Sequence, residues 1–446
     1  MDASLTADDV ALLRKSFTRN PAYRLVQNAL TQTTLDDLTL DREIVVRTDH
    51  SVSHLLDDWS ATNQKNSGRC WMFAGLNLLR VGAMRRMNLK SFEFSQNHVM
   101  FWDKLERANY FLEAIIDTAD RDLDDRTVAF LLTDVAGDGG QWNMFAALVR
   151  KHGLVPKSAM PETQSSSSTG RMNSVLRQLL RQGARDLRAL AAGDGGADAA
   201  RSHKRQLLDV VHRALCMHLG TPPETFTWQW TDKDRVFHRD GDLTPLEFAQ
   251  RYVGIPVDDY VCLVHDPRET SPRGRTFTVD QLGNVVGGGA VVYLNVDMAV
   301  MKRLARESIV NGQPVWFGCD VGKMMRRDIG IWDADLYDTG SVYDTTFDLD
   351  KAERLLYHET AMTHAMLFTG VDVDGEQTRR WRVENSWGDK DADKGFYTMN
   401  DSWFDEYVFE IAVHRDALPE ELREALSEEP IVLPAWDPMG ALARAR

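Results

Sequence analysis

Cysteine is scarce in this 446-residue chain: Cys70, Cys216, Cys262 and Cys319 are too few and too scattered for a disulfide framework or a zinc site. Free thiols suit a reducing compartment, so a cytoplasmic location is expected. Cys319, inside an apolar run, reads as a buried packing residue. No stretch of 18 apolar residues occurs, and no membrane span is expected. The acidic opening, Met1-Asp2-Ala3-Ser4-Leu5-Thr6-Ala7-Asp8-Asp9, reads as a capped amphipathic helix and lacks the basic and apolar pattern of a secretory leader. There is no glycine-rich phosphate loop, no histidine cluster at metal spacing and no internal repeat, so neither metal nor other cofactor is expected. At 43% hydrophobic, the chain can bury a large core and exceeds one typical domain.

Four short segments carry the chemistry. They are Gln64-Lys65-Asn66-Ser67-Gly68-Arg69-Cys70-Trp71, Gly137-Asp138-Gly139-Gly140-Gln141-Trp142, Thr363-His364-Ala365 and Glu384-Asn385-Ser386-Trp387-Gly388. A nucleophilic thiol needs a neighbouring imidazolium and a helix N-terminus to favour its thiolate. Phe73, Leu76, Leu79, Ala83 and Met87 recur at helical spacing behind Cys70, with Ser67 a candidate N-cap, so Cys70 falls in a first helical turn.

His364 and Asn385 belong to two predicted strands, 362–371 and 380–385, on either side of Val373-Asp374-Gly375-Glu376. Asp-Gly is a two-residue hairpin signal. With the turn centred on Asp374-Gly375 and no bulge, His364 and Asn385 stand directly opposite, their Cβ atoms roughly 5 Å apart. The Asn carbonyl then fixes the imidazole tautomer that leaves the other ring nitrogen facing Cys70. Gln64, six residues before the thiol, supplies a carboxamide that joins the backbone N–H of Cys70 in meeting an oxyanion. Trp387 is placed to cover the His–Asn hydrogen bond.

With these motifs the chain resembles the bleomycin hydrolase and bacterial aminopeptidase C family, a cytosolic branch of the papain-like cysteine peptidases. The likeness runs through Val315-Trp316-Phe317-Gly318-Cys319-Asp320-Val321-Gly322 to Leu433-Pro434-Ala435-Trp436-Asp437-Pro438-Met439-Gly440-Ala441-Leu442-Ala443. It implies Cys70, His364 and Asn385 as catalytic residues, Gln64 as oxyanion donor, and Gly139 and Gly140 as the glycines that bind substrate backbone. It further implies an α+β papain-like core, with a helical subdomain and a β-barrel-like one, and a homohexamer acting on peptides. A carboxyl-terminal arm would enter the cleft and use a carboxylate at Ala443 to hold the substrate amine. Because Arg444-Ala445-Arg446 continue beyond that point, the enzyme is expected to trim its own tail through Cys70.

The expected layout is discontinuous: residues 1–160 for the N-terminal arm and Cys helix, 161–255 for a helical insertion, 256–427 for the β-rich His/Asn part, and 428–446 for the arm. Ser165-Ser166-Ser167-Ser168-Thr169-Gly170 reads as a flexible junction leading to a helical hairpin, 172–190 and 201–219. Although the chain carries a net charge of −15, this hairpin is rich in Arg171, Arg177, Arg181, Arg185, Arg188, Arg201, Lys204, Arg205 and Arg213. Without aromatic interleaving the basic face is read as solvated or as meeting an acidic neighbour, and nucleic acid is not the expected partner. The expected function is a cysteine aminopeptidase acting on short peptides and bleomycin-like amides. A papain-type endopeptidase, or a peptidase with a secondary nucleic-acid role, is the alternative.

Overall fold

In the computed structural model, which describes residues 3–56 and 59–444, helices gather on one side of the site and a large sheet on the other. The helix Cys70–Met87 buries nearly every residue of its length and lies at the centre of the main hydrophobic cluster. Apolar side chains all round mark a helix surrounded by protein. Gln96–Asp117 and Trp142–His152 pack beside it, the latter ending at Gly153, whose φ of +66° suits glycine.

The helical hairpin is formed by Gly170–Ala191 and Gly196–Leu219, both packed on Gln96–Asp117. The stretch between residues 161 and 255 is nevertheless not all helical. Phe226–Thr231 and Phe237–Leu243 pair as an antiparallel ribbon, followed by the helix Pro245–Tyr252. The alternation of Phe226, Trp228 and Trp230 is the strand signal there; Trp228 and Phe226 pack on Phe248 of that helix.

The serine run also departs from expectation, being ordered and packed. Gln164–Ser167 forms a helical turn with a Thr163–Ser166 capping box, and the Ser166 hydroxyl donates to Glu162 over 2.7 Å. Ser168 bridges to Asn66, so the run props the loop that leads to Cys70.

Among the described residues the main sheet has twelve strands, mostly antiparallel. Its centre runs Tyr260–Val264, Val408–His414, Val315–Cys319, His364–Asp374, Gln377–Glu384, and a second hydrophobic cluster fills its far face. Among the described residues no helix is long and apolar enough to cross a membrane. The N-terminal helix Ala7–Arg19 has the expected cap, with Thr6 and Asp9 forming a capping box, but it buries none of its residues.

Candidate active site

Cys70 is the first residue of its helix, and its sulfur lies against the backbone N–H groups of Cys70, Trp71 and Ala365. Ala365 follows His364, so the sheet brings the imidazole-bearing strand to the helix end. Ser67 is not the cap. Arg69 occupies that position without bonding the helix N–H groups through its side chain, while Ser67 donates to the Gln64 carbonyl and accepts from Arg69 Nε. The Arg69 guanidinium in turn makes a two-bond fork with Glu162, at 3.0 and 2.8 Å.

The His364–Asn385 contact is present, though by a different route from simple cross-strand pairing. The hairpin turns on Gly375-Glu376, with Asp374 opposite Gln377, and the register shifts twice, between Phe368 and Gly370 and between Asp372 and Val373. Paired residues end at Leu367 and Glu384; His364 faces Cys319 of the neighbouring strand instead. Beyond Glu384 the chain leaves the ladder and carries Asn385 to His364, with Nε2 to Oδ1 at 2.9 Å.

The tautomer follows from the surrounding bonds. Asn385 Oδ1 also accepts the backbone N–H of Ser386 at 2.8 Å, which identifies it as the carbonyl oxygen. Nε2 of His364 therefore donates, and Nδ1 is left with a lone pair. Trp387 lies over the imidazole, ring centroids 5.2 Å apart. Burial brings the His364 imidazole down to about 4, against the opposing effect of its bond to Asn385. Burial also pushes the Cys70 thiol up to about 11, despite the three N–H groups around it, with Asp138 adding to the rise. In this covered state burial disfavours both the thiolate and the imidazolium. The helix terminus alone does not offset the loss of water.

Gln64 is oriented from both ends: Ser386 Oγ donates to its Oε1 at 2.6 Å, and its Nε2 donates to the Ser67 carbonyl at 2.5 Å. The second Nε2 hydrogen remains for a ligand. The backbone around it is tied to the Asn385 loop by Gln64 N to Ser386 O and Gly388 N to Thr62 O. Gly140 has a packing reason to be glycine, since a Cβ there would lie 2.4 Å from the Trp71 indole. The Gly139 carbonyl accepts from Arg107 at 2.6 Å.

Two charged groups that sequence reading left without a role hold the site from below. Asp138 is buried against Lys104 Nζ at 2.6 Å and accepts from Thr169, Asn173 and the backbone N–H of Gly68. Burial opposes its ionisation, yet Lys104 and these donors hold the carboxyl well below the usual range. Glu384, beside Asn385, receives Trp59, Asn77 and Arg80 in the core. Their position next to the quoted glycines and Asn was the available signal.

The carboxyl-terminal segment is docked. Ile431–Leu433 adds a parallel strand to Thr276–Val279, Arg268 grips Asp437 with two 3.0 Å bonds, and Tyr293 donates to the Met439 carbonyl. Met439, Leu442 and Ala443 join the hydrophobic cluster that contains Cys70 and Trp71. The Arg444 side chain folds back to the Asp437 carbonyl and over Phe130, at 5.0 Å from its centroid. Ala445 and Arg446 lie outside the described residues. Next to the Ser67-Gly68 corner a cavity of about 1270 Å³ opens between Arg444 and the helix Gly170–Ala191.

The description of the Peptidase C1-like family matches residues 4–440. The chain is 42% identical to bleomycin hydrolase of Homo sapiens and 39% identical to aminopeptidase C of Lactobacillus delbrueckii subsp. lactis, with 99% of both partners covered in each comparison. Its structure superposes on the crystal structure of PepW from Lactobacillus rhamnosis HN001 with a TM-score of 0.97 at 41% identity, covering 99% of this chain and 100% of that one.

Proposed function

The chain belongs to the Peptidase C1-like family and is a cysteine peptidase; from that premise we propose that it is an aminopeptidase in which Cys70, His364, Asn385 and Gln64 carry the reaction. His364 Nδ1 takes the thiol proton as Cys70 Sγ attacks the carbonyl of the N-terminal residue. Gln64 Nε2 and the Cys70 N–H meet the oxyanion. The imidazolium then protonates the leaving amine, and water hydrolyses the thioester. The observation that carries this reading is the commitment of His364 Nε2 to Asn385, which leaves Nδ1 as a base on the strand beside the Cys70 helix end.

Restriction to the N-terminal residue is assigned to the docked arm. This reading is supported by Met439, Leu442 and Ala443, which are buried in the cluster that contains Cys70 and Trp71. The names of the relatives, bleomycin hydrolase and aminopeptidase C, support the same reading. Gly139 and Gly140 are proposed to line the substrate path, and the residues past Ala443 to be trimmed by the enzyme itself. Intact mass would show that loss in the wild type and its absence in Cys70→Ser. Subunit association is supported by Leu5, Leu12, Leu13 and Leu25, which are exposed on and beside the N-terminal helices; the number six rests on the family resemblance. Four free thiols favour a cytoplasmic setting. The deciding experiment is product analysis on one peptide with a free and with an acetylated N-terminus. Single residues released from the free form alone are expected; internal cleavage of both forms would replace this reading with an endopeptidase.

A further inference from the structure

The basic insert looks different once each cation is followed to its partner. Lys204 and Arg201 pair with Glu113, and Arg201 also reaches Asp117, so the acidic neighbour lies within the same chain. Arg188 donates to the carbonyls of Thr118 and Arg121, Arg185 pairs with Asp186, and Arg213 with Asp209. Most of the apparent basic surface is thereby spent on local contacts.

One face of Gly170–Ala191 behaves otherwise. Arg177 and Arg181, one helical turn apart, line the cavity beside Ser67-Gly68, and Lys65 and Arg444 line it from two further elements. Arg177 and Lys65 have no side-chain partner among the described residues. Among the described residues Arg181 donates only to the neutral carbonyls of Leu132 and Thr133, and Arg444 to that of Asp437 and, more weakly, Gly440. Lys65 is also held at φ +55°, a left-handed conformation unusual for lysine. Two carboxylates face the same space. Asp138 is already paired with Lys104, which leaves Asp134 alone against Lys65, Arg177 and Arg181, the three cations that trimming past Ala443 would not remove.

The cavity's position gives this charge a use. If the arm's end meets the substrate amine while Cys70 meets the first carbonyl, the first side chain must lie between them. The space beside the Ser67-Gly68 corner and Gly137-Asp138, reached by the arm immediately after Ala443, is this cavity, and it keeps Lys65, Arg177 and Arg181 whether or not Arg444 is trimmed. We propose that it selects an acidic first residue, so that the enzyme prefers peptides beginning with Glu or Asp, Arg177 and Lys65 being the groups that read the carboxylate. The proposal rests on the aminopeptidase reading and adds a substrate class to it.

The test uses the purified full chain and four fluorogenic aminoacyl amides, those of Glu, Gln, Leu and Arg. Glu and Gln differ in charge at nearly constant shape. The expected kcat/KM for Glu exceeds that for Gln roughly tenfold at low salt, the scale of one partly screened charge pair, and the ratio shrinks as salt rises. Arg177→Gln should bring the ratio close to one, and Arg177→Glu should turn the preference toward the Arg amide. Lys65→Gln, on an exposed loop, provides a second variant with little consequence for folding. A Glu to Gln ratio at or below one in the wild type overturns the proposal, as does a ratio that Arg177→Gln and Lys65→Gln both leave unchanged. Turnover of Leu and Gln amides that is abolished in Cys70→Ser would then leave the aminopeptidase standing without this preference. Failure to cleave any of the four overturns both.

Discussion

Replacing Asp138 by Asn removes one charge from the buried pair that underlies the nucleophile loop. The carboxylate is met by Lys104 at 2.6 Å, Thr169 Oγ1 at 2.5 Å, Asn173 Nδ2 at 2.8 Å and Gly68 N at 3.1 Å. An amide keeps one acceptor oxygen and turns an NH2 toward groups that are themselves donors. Breaking one side of a buried pair costs roughly 3–5 kcal/mol. The lower end applies, about 3 kcal/mol, because Lys104 retains the carbonyls of Ala136 and Gly137. Urea unfolding at pH 7 measures the loss, and kcat/KM should fall with it, since Gly68 lies two residues from Cys70. The pH dependence has a definite sign. The folded pKa is depressed, so this stabilisation is complete above the unfolded value near 3.8 and is lost as pH falls further. The variant should lack that part of the acid slope. Removing the stranded cation as well, in Asp138→Asn with Lys104→Met, should recover part of the loss. A single variant within about 1 kcal/mol of wild type refutes the reasoning.

Three further outcomes are expected. Asn385→Ala should reduce kcat less than His364→Ala, because Asn orients the ring whereas His moves the proton; steady-state kinetics giving the reverse order at equal stability would contradict the roles. Gly140→Ala forces a methyl into the Trp71 indole and should cost about 1–3 kcal/mol, read as a lowered melting temperature; an unchanged melt would show that Trp71 yields freely. Burial holds the folded His364 at about 4, below its unfolded value of 6.5, so stability should fall by roughly 3 kcal/mol as pH drops through that interval. His364→Gln should flatten this part of the profile, and a variant that follows the wild-type curve would assign the slope to another group.

Much of the site was legible because its signals are local. The helix behind Cys70 and the helical hairpin after residue 170 follow from apolar spacing. What sequence could not give is where a ladder slips or ends. One residue's difference in the turn and two register shifts undo the opposition of His364 and Asn385, and the contact returns only because the chain leaves the strand after Glu384. Ser67 failed as a cap because its hydroxyl had nearer partners in Gln64 and Arg69. The serine run resembled a linker in composition, but its hydroxyls are consumed by a capping box and by Glu162. Arg80 with Glu384, and Lys104 with Asp138, join distant parts of the chain, and no periodicity reports such pairings.

The docked arm has a practical consequence for anyone handling the protein. An affinity tag fused after Arg446 would be separated by three residues from Ala443, which sits in the same buried cluster as Cys70. Such a preparation would be assayed with foreign sequence held at its own catalytic cleft. A leader tag lies away from the cleft residues, beside Ala7–Arg19 and the exposed Leu5, Leu12 and Leu13 proposed for subunit contact. Specificity profiles gathered with the two kinds of fusion would therefore agree only if trimming at Ala443 had removed the carboxyl-terminal tag.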